Sequence, residues 1–71
     1  MVDFNTLKNI IDDSGMTMVA ISNKSGIVRQ SLYQKLAGKT EFTISEVERL
    51  SDVLCLTVGQ RNAIFFAKEV E

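Results

Sequence analysis

The chain contains no histidine and no proline, one cysteine and only four glycines among its 71 residues. Without histidine, it lacks the commonest general base and metal ligand. Its single cysteine, Cys55, can form no disulfide within the chain and cannot build a cysteine zinc site. Because proline is absent and glycine is scarce, the composition favours helices over a β-fold with many turns. We therefore expect an all-α fold with no metal and no other cofactor.

The features of membrane proteins, secreted proteins and enzymes are also missing from the sequence. No apolar run approaches the roughly 20 residues that a membrane-spanning helix requires. The first residues, MVDFNTLKNI, have neither the basic patch nor the long apolar run of a signal peptide. We find no glycine loop of the kind that holds phosphates and no pairing of a nucleophile with a base. The sequence thus predicts an intracellular protein that is not an enzyme, with no membrane partner and no small-molecule substrate.

The length of the chain is enough for one domain and too small for a second hydrophobic core. A hydrophobic fraction of 45% is typical of a globular protein rather than a disordered one. A chain of this size buries only about 60% of its unfolded surface, so its stability should be modest or assisted by a partner. We predict a single domain over residues 1–71.

Acidic and basic residues are unevenly distributed, although the net charge is only −1. None of the nine acidic residues lies between residues 14 and 40, whereas half of the eight basic residues do. These four are Lys24, Arg29, Lys35 and Lys39. The separation predicts one positive face on an acidic body, and a phosphate responds to that local field rather than to the net charge.

Apolar residues at helical spacing predict five short helices, of which three lie in the N-terminal half of the chain. Asp3 and Thr17 are candidates to cap the first two of these. Gly15 suits the left-handed conformation that ends a helix, and Ser25-Gly26 separates the second helix from the third. The predicted ranges are 4–14, 18–24 and 28–37.

Each of the last two predicted helices begins with a capping box, in which Thr and an acidic or amide residue three positions later cap one another. Thr43 with Glu46 begins the fourth helix, and Thr57 with Gln60 begins the fifth. Cys55, which lies between these helices, is expected to be a small core residue. The buried face of the fifth helix is expected to carry Ala63, Phe66, Ala67 and Val70.

The second and third predicted helices have the pattern of a DNA-binding helix-turn-helix over residues 17–38. A tight turn holds the two helices of such a motif at about 90–120° and often contains a glycine, here Gly26. Arginine bonds guanine in bidentate fashion and glutamine bonds adenine, so we expect base contacts from Arg29, Gln30 and Gln34. The residues expected to support these or to contact phosphate are Lys24, Ser31, Tyr33, Lys35, Lys39 and Thr40. The alternative for this set is an ordinary solvated helix face, with Tyr33 covering the edge of the core.

The stretch from Met16 to Val58 resembles the Cro/CI-type helix-turn-helix family of phage and bacterial repressors, the xenobiotic-response-element family. The matching segments are MT, IS, SGIVRQSLYQKLAGK and FTISEVERLSDVLCLTV. The short length and the ending AIFFAKEVE are similar to small Cro-like proteins of phages from Gram-positive bacteria. The resemblance implies a compact five-helix, lambda-repressor-like DNA-binding domain. It also implies base contacts from Arg29, Gln30 and Gln34, and a phosphate contact from Thr17 at the start of the second helix.

The chain departs from the usual pattern of that family in both helices of the motif. Met18-Val19-Ala20 stands where polar residues are usual, and Ser22 and Ser25 stand where Ala and Leu are usual. Val28 replaces the capping Ser or Thr, which costs roughly 1 kcal/mol. Apolar residues in these places and in the fifth helix are either scattered surface or core residues, or a partner surface. The candidate partner surface consists of Met18, Val19 and Phe65.

The leading prediction is a transcriptional regulator, a Cro-like repressor that binds double-stranded operator DNA in the cytoplasm of a bacterial host cell. Because one recognition helix covers only a few base pairs, a homodimer on a two-fold site is expected. The alternative is an antirepressor that binds another repressor protein through the same fold. The acidic net charge, the missing cap at Val28 and the apolar Met18-Val19 suit that alternative.

Overall fold

Five helices follow one another along residues 2–66, which are the residues that the computed structural model describes. The helices are α1 (Phe4–Ser14), α2 (Met18–Ser25), α3 (Arg29–Leu36), α4 (Ile44–Val53) and α5 (Val58–Phe65). No strand occurs among these residues, so the all-α prediction is confirmed. Within the same range, no helix is both long enough and apolar enough to cross a membrane.

The boundaries of the first two helices are set by the predicted local caps. The Asp3 carboxylate accepts hydrogen bonds from the Thr6 backbone N–H at 3.2 Å and from the Thr6 hydroxyl at 2.8 Å. These bonds favour the ionised form and hold the pKa of Asp3 below its usual value. Thr17 Oγ1 accepts from the Ala20 N–H at 3.1 Å. α1 ends at Ser14 and is capped by Gly15, whose φ of 72° is in the left-handed region.

Both predicted capping boxes are complete. At the start of α4, the Thr43 N–H donates to Glu46 Oε1 at 2.8 Å, and the Glu46 N–H donates to Thr43 Oγ1 at 3.2 Å. At the start of α5, the Thr57 N–H donates to Gln60 Oε1 at 2.9 Å, and the Gln60 N–H donates to Thr57 Oγ1 at 3.1 Å. Each box satisfies backbone donors that the helix itself leaves without a partner.

One apolar cluster lies between the helices and includes side chains from all five. α2 packs against α3 and α4, and α5 packs against α1 and α4. The chain before α1 is tied to α5 by the Asp3 N–H, which donates to the Ile64 carbonyl at 2.7 Å. The buried cluster consists of Leu7, Ile11, Ile21, Ile27, Leu32, Leu36, Val47, Leu50, Leu54, Ile64 and Phe65.

The predicted buried face of α5 is wrong for the residues that the structure describes. Ile64 and Phe65 are buried, whereas Ala63 and Phe66 are exposed. The reason lies in tertiary contacts, because the Phe65 ring packs edge-on against Phe42 with centroids 5.3 Å apart. Phe65 is 4% exposed, so it belongs to the core rather than to a partner surface. The other two residues of the predicted stripe, Ala67 and Val70, lie outside the described residues.

The prediction that Cys55 is a small core residue is also wrong. α4 ends at Val53, and Cys55 has a φ of 56°, in the left-handed region that non-glycine residues rarely adopt. Its N–H donates to the Asp52 carbonyl at 3.2 Å, which closes the turn. The turn leaves the Cys55 side chain exposed.

Candidate nucleic-acid interface

The turn between α2 and α3 is built on Gly26. Its φ is 75°, and its N–H donates to the Ser22 carbonyl at 2.9 Å. A Cβ atom at this position would lie 3.1 Å from Nη1 of Arg49, which extends from α4. Both the left-handed backbone and the close guanidinium therefore favour glycine at this position.

Two serine hydroxyls hold the chain after the turn. Ser22 Oγ donates to the Ile27 carbonyl, and Ser25 Oγ accepts from the Ile27 N–H at 3.3 Å. Ser25 is 1% exposed, and Ile27 itself is buried in the core. Because Ile27 lies only two residues before the first residue of α3, these bonds orient that helix relative to α2. These hydrogen bonds give a physical role to Ser22 and Ser25, which stand where alanine and leucine are usual in the family that the sequence resembles.

The three predicted base-contacting residues lie exposed on α3. Gln30 and Gln34 are one helical turn apart, and Arg29 is the first residue of the helix. Within residues 2–66, the side chains of all three form neither hydrogen bonds nor ion pairs. Their hydrogen-bonding groups are therefore available to a molecule that approaches α3 from solution.

The start of α3 differs from the starts of the other helices in residues 2–66, since it has no side-chain cap. Val28 occupies the cap position and is 69% exposed, more than any other large apolar residue in this range. Its carbonyl accepts the first backbone bond of the helix, from the Leu32 N–H at 2.9 Å. Within residues 2–66, the N–H groups of the first turn of α3 consequently have no side-chain acceptor.

A shallow depression lies between α2 and the start of α3. The depression is lined by Val19, Ser22, Asn23 and Arg29. Val19 is 47% exposed, whereas the neighbouring Met18 is half-buried and packs against the core. Of the three residues predicted as a partner surface, only Val19 is thus an exposed apolar residue.

The predicted supporting residues fall into different surroundings. Lys24, Lys39 and Thr40 are exposed, and Ser31 is half-buried. The hydroxyl oxygen of Thr17 already caps α2, although the side chain remains exposed. Tyr33 is 53% exposed. It lines a depression whose other lining residues are Lys8, Ile11, Asp12, Met18, Leu36 and Ala37. Folding thus places an acidic residue close to α3, which the acid-free window in the sequence did not indicate.

Lys35 has protein partners instead of a free ammonium group. Its Nζ lies 3.1 Å from Glu46 Oε1 and donates to the Glu41 carbonyl at 2.9 Å. The same Nζ lies 6.0 Å from the ring centroid of Phe42. Burial alone would raise the pKa of the Glu46 carboxyl, but the bonds from Thr43 and Lys35 hold it below its usual value. Lys35 therefore connects α3 to the start of α4, and the structure does not favour its predicted role at a phosphate.

Arg49 is a cation of this region that the sequence analysis missed. It is exposed on α4, and its Nη1 lies against the turn at Gly26. The two residues are far apart in sequence and meet because α2 packs against α4. No local pattern around Arg49 could have indicated this neighbour. The structure adds this guanidinium to Arg29 and Lys24 as positive groups on or beside α2 and α3.

The candidate interface is described by the polar, charged and apolar side chains that α2, α3 and α4 leave exposed. Residues 2–66 contain no group of three or more His, Cys, Asp or Glu side chains that could hold a metal ion. What the region presents is arginine and glutamine side chains beside an exposed valine, on helices oriented by internal hydrogen bonds. No protein-family model, curated protein or solved structure matches the chain.

Proposed function

We propose that the protein is a sequence-specific DNA-binding transcriptional regulator, a Cro-like repressor that uses α2, the Gly26 turn and α3 as a helix-turn-helix. The observation that carries the proposal is the exposed set Arg29, Gln30 and Gln34, which has no partners within residues 2–66. In such motifs the N-terminal residues of the second helix contact base edges in the major groove. Arg29 then bonds the O6 and N7 atoms of guanine, and each glutamine bonds the N6 and N7 atoms of adenine.

The geometry around α3 supports this proposal. A helix that reads bases must keep a fixed direction relative to the helix that precedes it, because base contacts depend on orientation. Here the Gly26 turn and the bonds from Ser22 and Ser25 supply that constraint. The fold we propose is the lambda-repressor-like arrangement that the sequence resembles.

Phosphate contacts in this proposal come from the exposed cations near α2 and α3. Lys24 and Lys39 remain from the predicted set, Arg49 replaces Lys35, and the Thr17 hydroxyl donates at the start of α2. A recognition helix covers only a few base pairs, so we propose a homodimer on a two-fold operator. The proposed setting is the cytoplasm of a bacterial host cell.

The proposal is tested with the double variant Gln30→Ala plus Gln34→Ala. A duplex is first selected by the wild-type protein from a random DNA pool, and its affinity for each variant is then measured. Each bidentate contact between a side chain and a base contributes about 1–3 kcal/mol to binding. We therefore expect the double variant to bind at least about 30-fold more weakly. The matched control is Asn5→Ala plus Asn9→Ala, which removes two exposed amides one turn apart on α1. Unchanged affinity of the glutamine variant would refute the proposal.

The second candidate function is an antirepressor that binds another repressor protein. The exposure of Val19 and Val28 beside the candidate base contacts favours it, since both are apolar and accessible. A titration with salt separates the two functions. DNA binding through phosphates weakens steeply as the salt concentration rises, because counterions are released on binding. An antirepressor binds DNA weakly at every salt concentration.

A further inference from the structure

Val28 occupies the cap position of α3, where valine is an unfavourable residue. Serine, threonine, aspartate and asparagine are favoured at the cap of a helix, and valine is among the least favoured residues. The caps of the other helices in residues 2–66 follow the preference, with Asp3, Thr17, Thr43 and Thr57. Violations of local rules are expected where function requires a particular side chain. The exposed isopropyl group of Val28 therefore calls for a role outside the fold.

The position of Val28 places it with the candidate base contacts. It directly precedes Arg29, at the end of α3 that a helix-turn-helix presents to base edges. Base edges in the major groove offer donors, acceptors and a single kind of apolar group, the 5-methyl group of thymine. Valine can neither donate nor accept a hydrogen bond through its side chain, so the base edge that offers it the most apolar contact is the one that carries this methyl group.

We propose that Val28 recognises the 5-methyl group of a thymine next to the base pair that Arg29 contacts. This inference rests on the proposed DNA-binding function and adds one position of sequence preference to it. Contact between the methyl groups removes apolar surface of both from water. A serine in place of Val28 would cap α3 and would give up that contact.

A methyl group fits the surroundings of Val28 better than the apolar surface of a protein does. Partner surfaces of proteins are usually contiguous apolar patches of several residues. Val28 is not among the residues that line the depression between α2 and α3, and the two residues that follow it, Arg29 and Gln30, are polar and exposed. A single exposed valine followed by Arg29 and Gln30 is suited to a small apolar group among polar ones.

The test replaces thymine by deoxyuridine, which lacks only the 5-methyl group, at each position of the selected duplex in turn. The duplex is selected from unmodified DNA, so any methyl group that is recognised belongs to thymine rather than to methylated cytosine. For the wild-type protein, we expect one position in each half-site to lose about fourfold in affinity, as burial of one methyl group predicts. Val28→Ser should bind the thymine and uracil duplexes equally. Val58→Ala, which truncates a similarly exposed valine on α5, should behave as wild type.

Thermal unfolding separates this effect from misfolding. Because Val28→Ser regains a cap, its melting temperature should rise while its preference for thymine disappears. Val28→Thr keeps one methyl group and should retain part of the preference. Failure to select any duplex overturns both the proposed function and this inference. Tight binding that is insensitive to uracil at every position overturns the inference alone, and so does a preference that survives in Val28→Ser.

Discussion

The starts of α3 and α4 differ in whether their polar side chains and backbone N–H groups are bonded to other groups of the protein. At α4, the Thr43–Glu46 box satisfies the backbone, and Glu46 also binds Lys35. At α3, an exposed valine replaces the cap, and Arg29 and the glutamines have no partner within residues 2–66. The comparison shows where the chain uses its polar groups for its own stability. At the start of α3, it leaves them exposed to solvent.

The largest loss of stability should come from Glu46→Ala, which disrupts the bonded groups at the start of α4. The substitution removes half of the capping box and leaves the half-buried ammonium of Lys35 without its carboxylate. Together these losses should lower the free energy of unfolding by about 2–3 kcal/mol, as measured by urea denaturation. Glu48→Ala is the matched control, since Glu48 is exposed on the same helix. Equal stability of the two variants would contradict the role given to Glu46.

A smaller loss is expected at the turn before α3, from Gly26→Ala. The left-handed backbone there costs a non-glycine residue about 1–2 kcal/mol. Gly15→Ala is a close control, because its φ is 72° against 75° at Gly26, but nothing lies within 4 Å of its Cβ position. Both variants should lose stability in urea denaturation, whereas only Gly26→Ala, which displaces Arg49, should also weaken DNA binding. Equal DNA affinity of the two variants would show that the turn does not position the interface.

The smallest effect should be the loss of unfolding free energy that Glu46, at the start of α4, causes as the pH falls. The pKa of Glu46 is lowered in the folded chain, whereas in the unfolded chain the carboxyl has its usual pKa of 4.5. Its stabilisation is therefore present above pH 4.5 and is lost as the pH falls through the lower, folded-state value. The difference in unfolding free energy between wild type and Glu46→Gln should shrink over that range. A difference that does not change with pH would contradict the interaction of the ionised carboxyl with Lys35.

Features that depend on residues close in sequence were predictable, and those that depend on distant contacts were not. The caps at Asp3, Thr17, Thr43 and Thr57 each bond a backbone group three positions away, so the sequence pattern contains both partners. The burial of Phe65 instead depends on Phe42, more than twenty positions earlier. A periodic pattern on one helix cannot indicate which of its faces meets such a partner.

The same distinction between local and distant contacts applies to the residues of the candidate site. Exposure of Arg29, Gln30 and Gln34 follows from the helical period of α3, and the structure agrees with it. The partners of Lys35 and the approach of Arg49 to Gly26 depend on how α4 packs, so the charges in the sequence alone indicated neither of them.

DNA binding through the start of α3 is tested most directly by following backbone amide resonances during titration with the selected duplex. We expect the largest chemical shift changes at Gly26, Arg29 and Gln30, because these residues lie at the end of the proposed helix-turn-helix that such motifs place in the major groove. The Thr57 amide, closed in its capping box on α5, should change little. A spectrum that stays unchanged at saturating DNA, or changes confined to α5, would contradict the proposed interface.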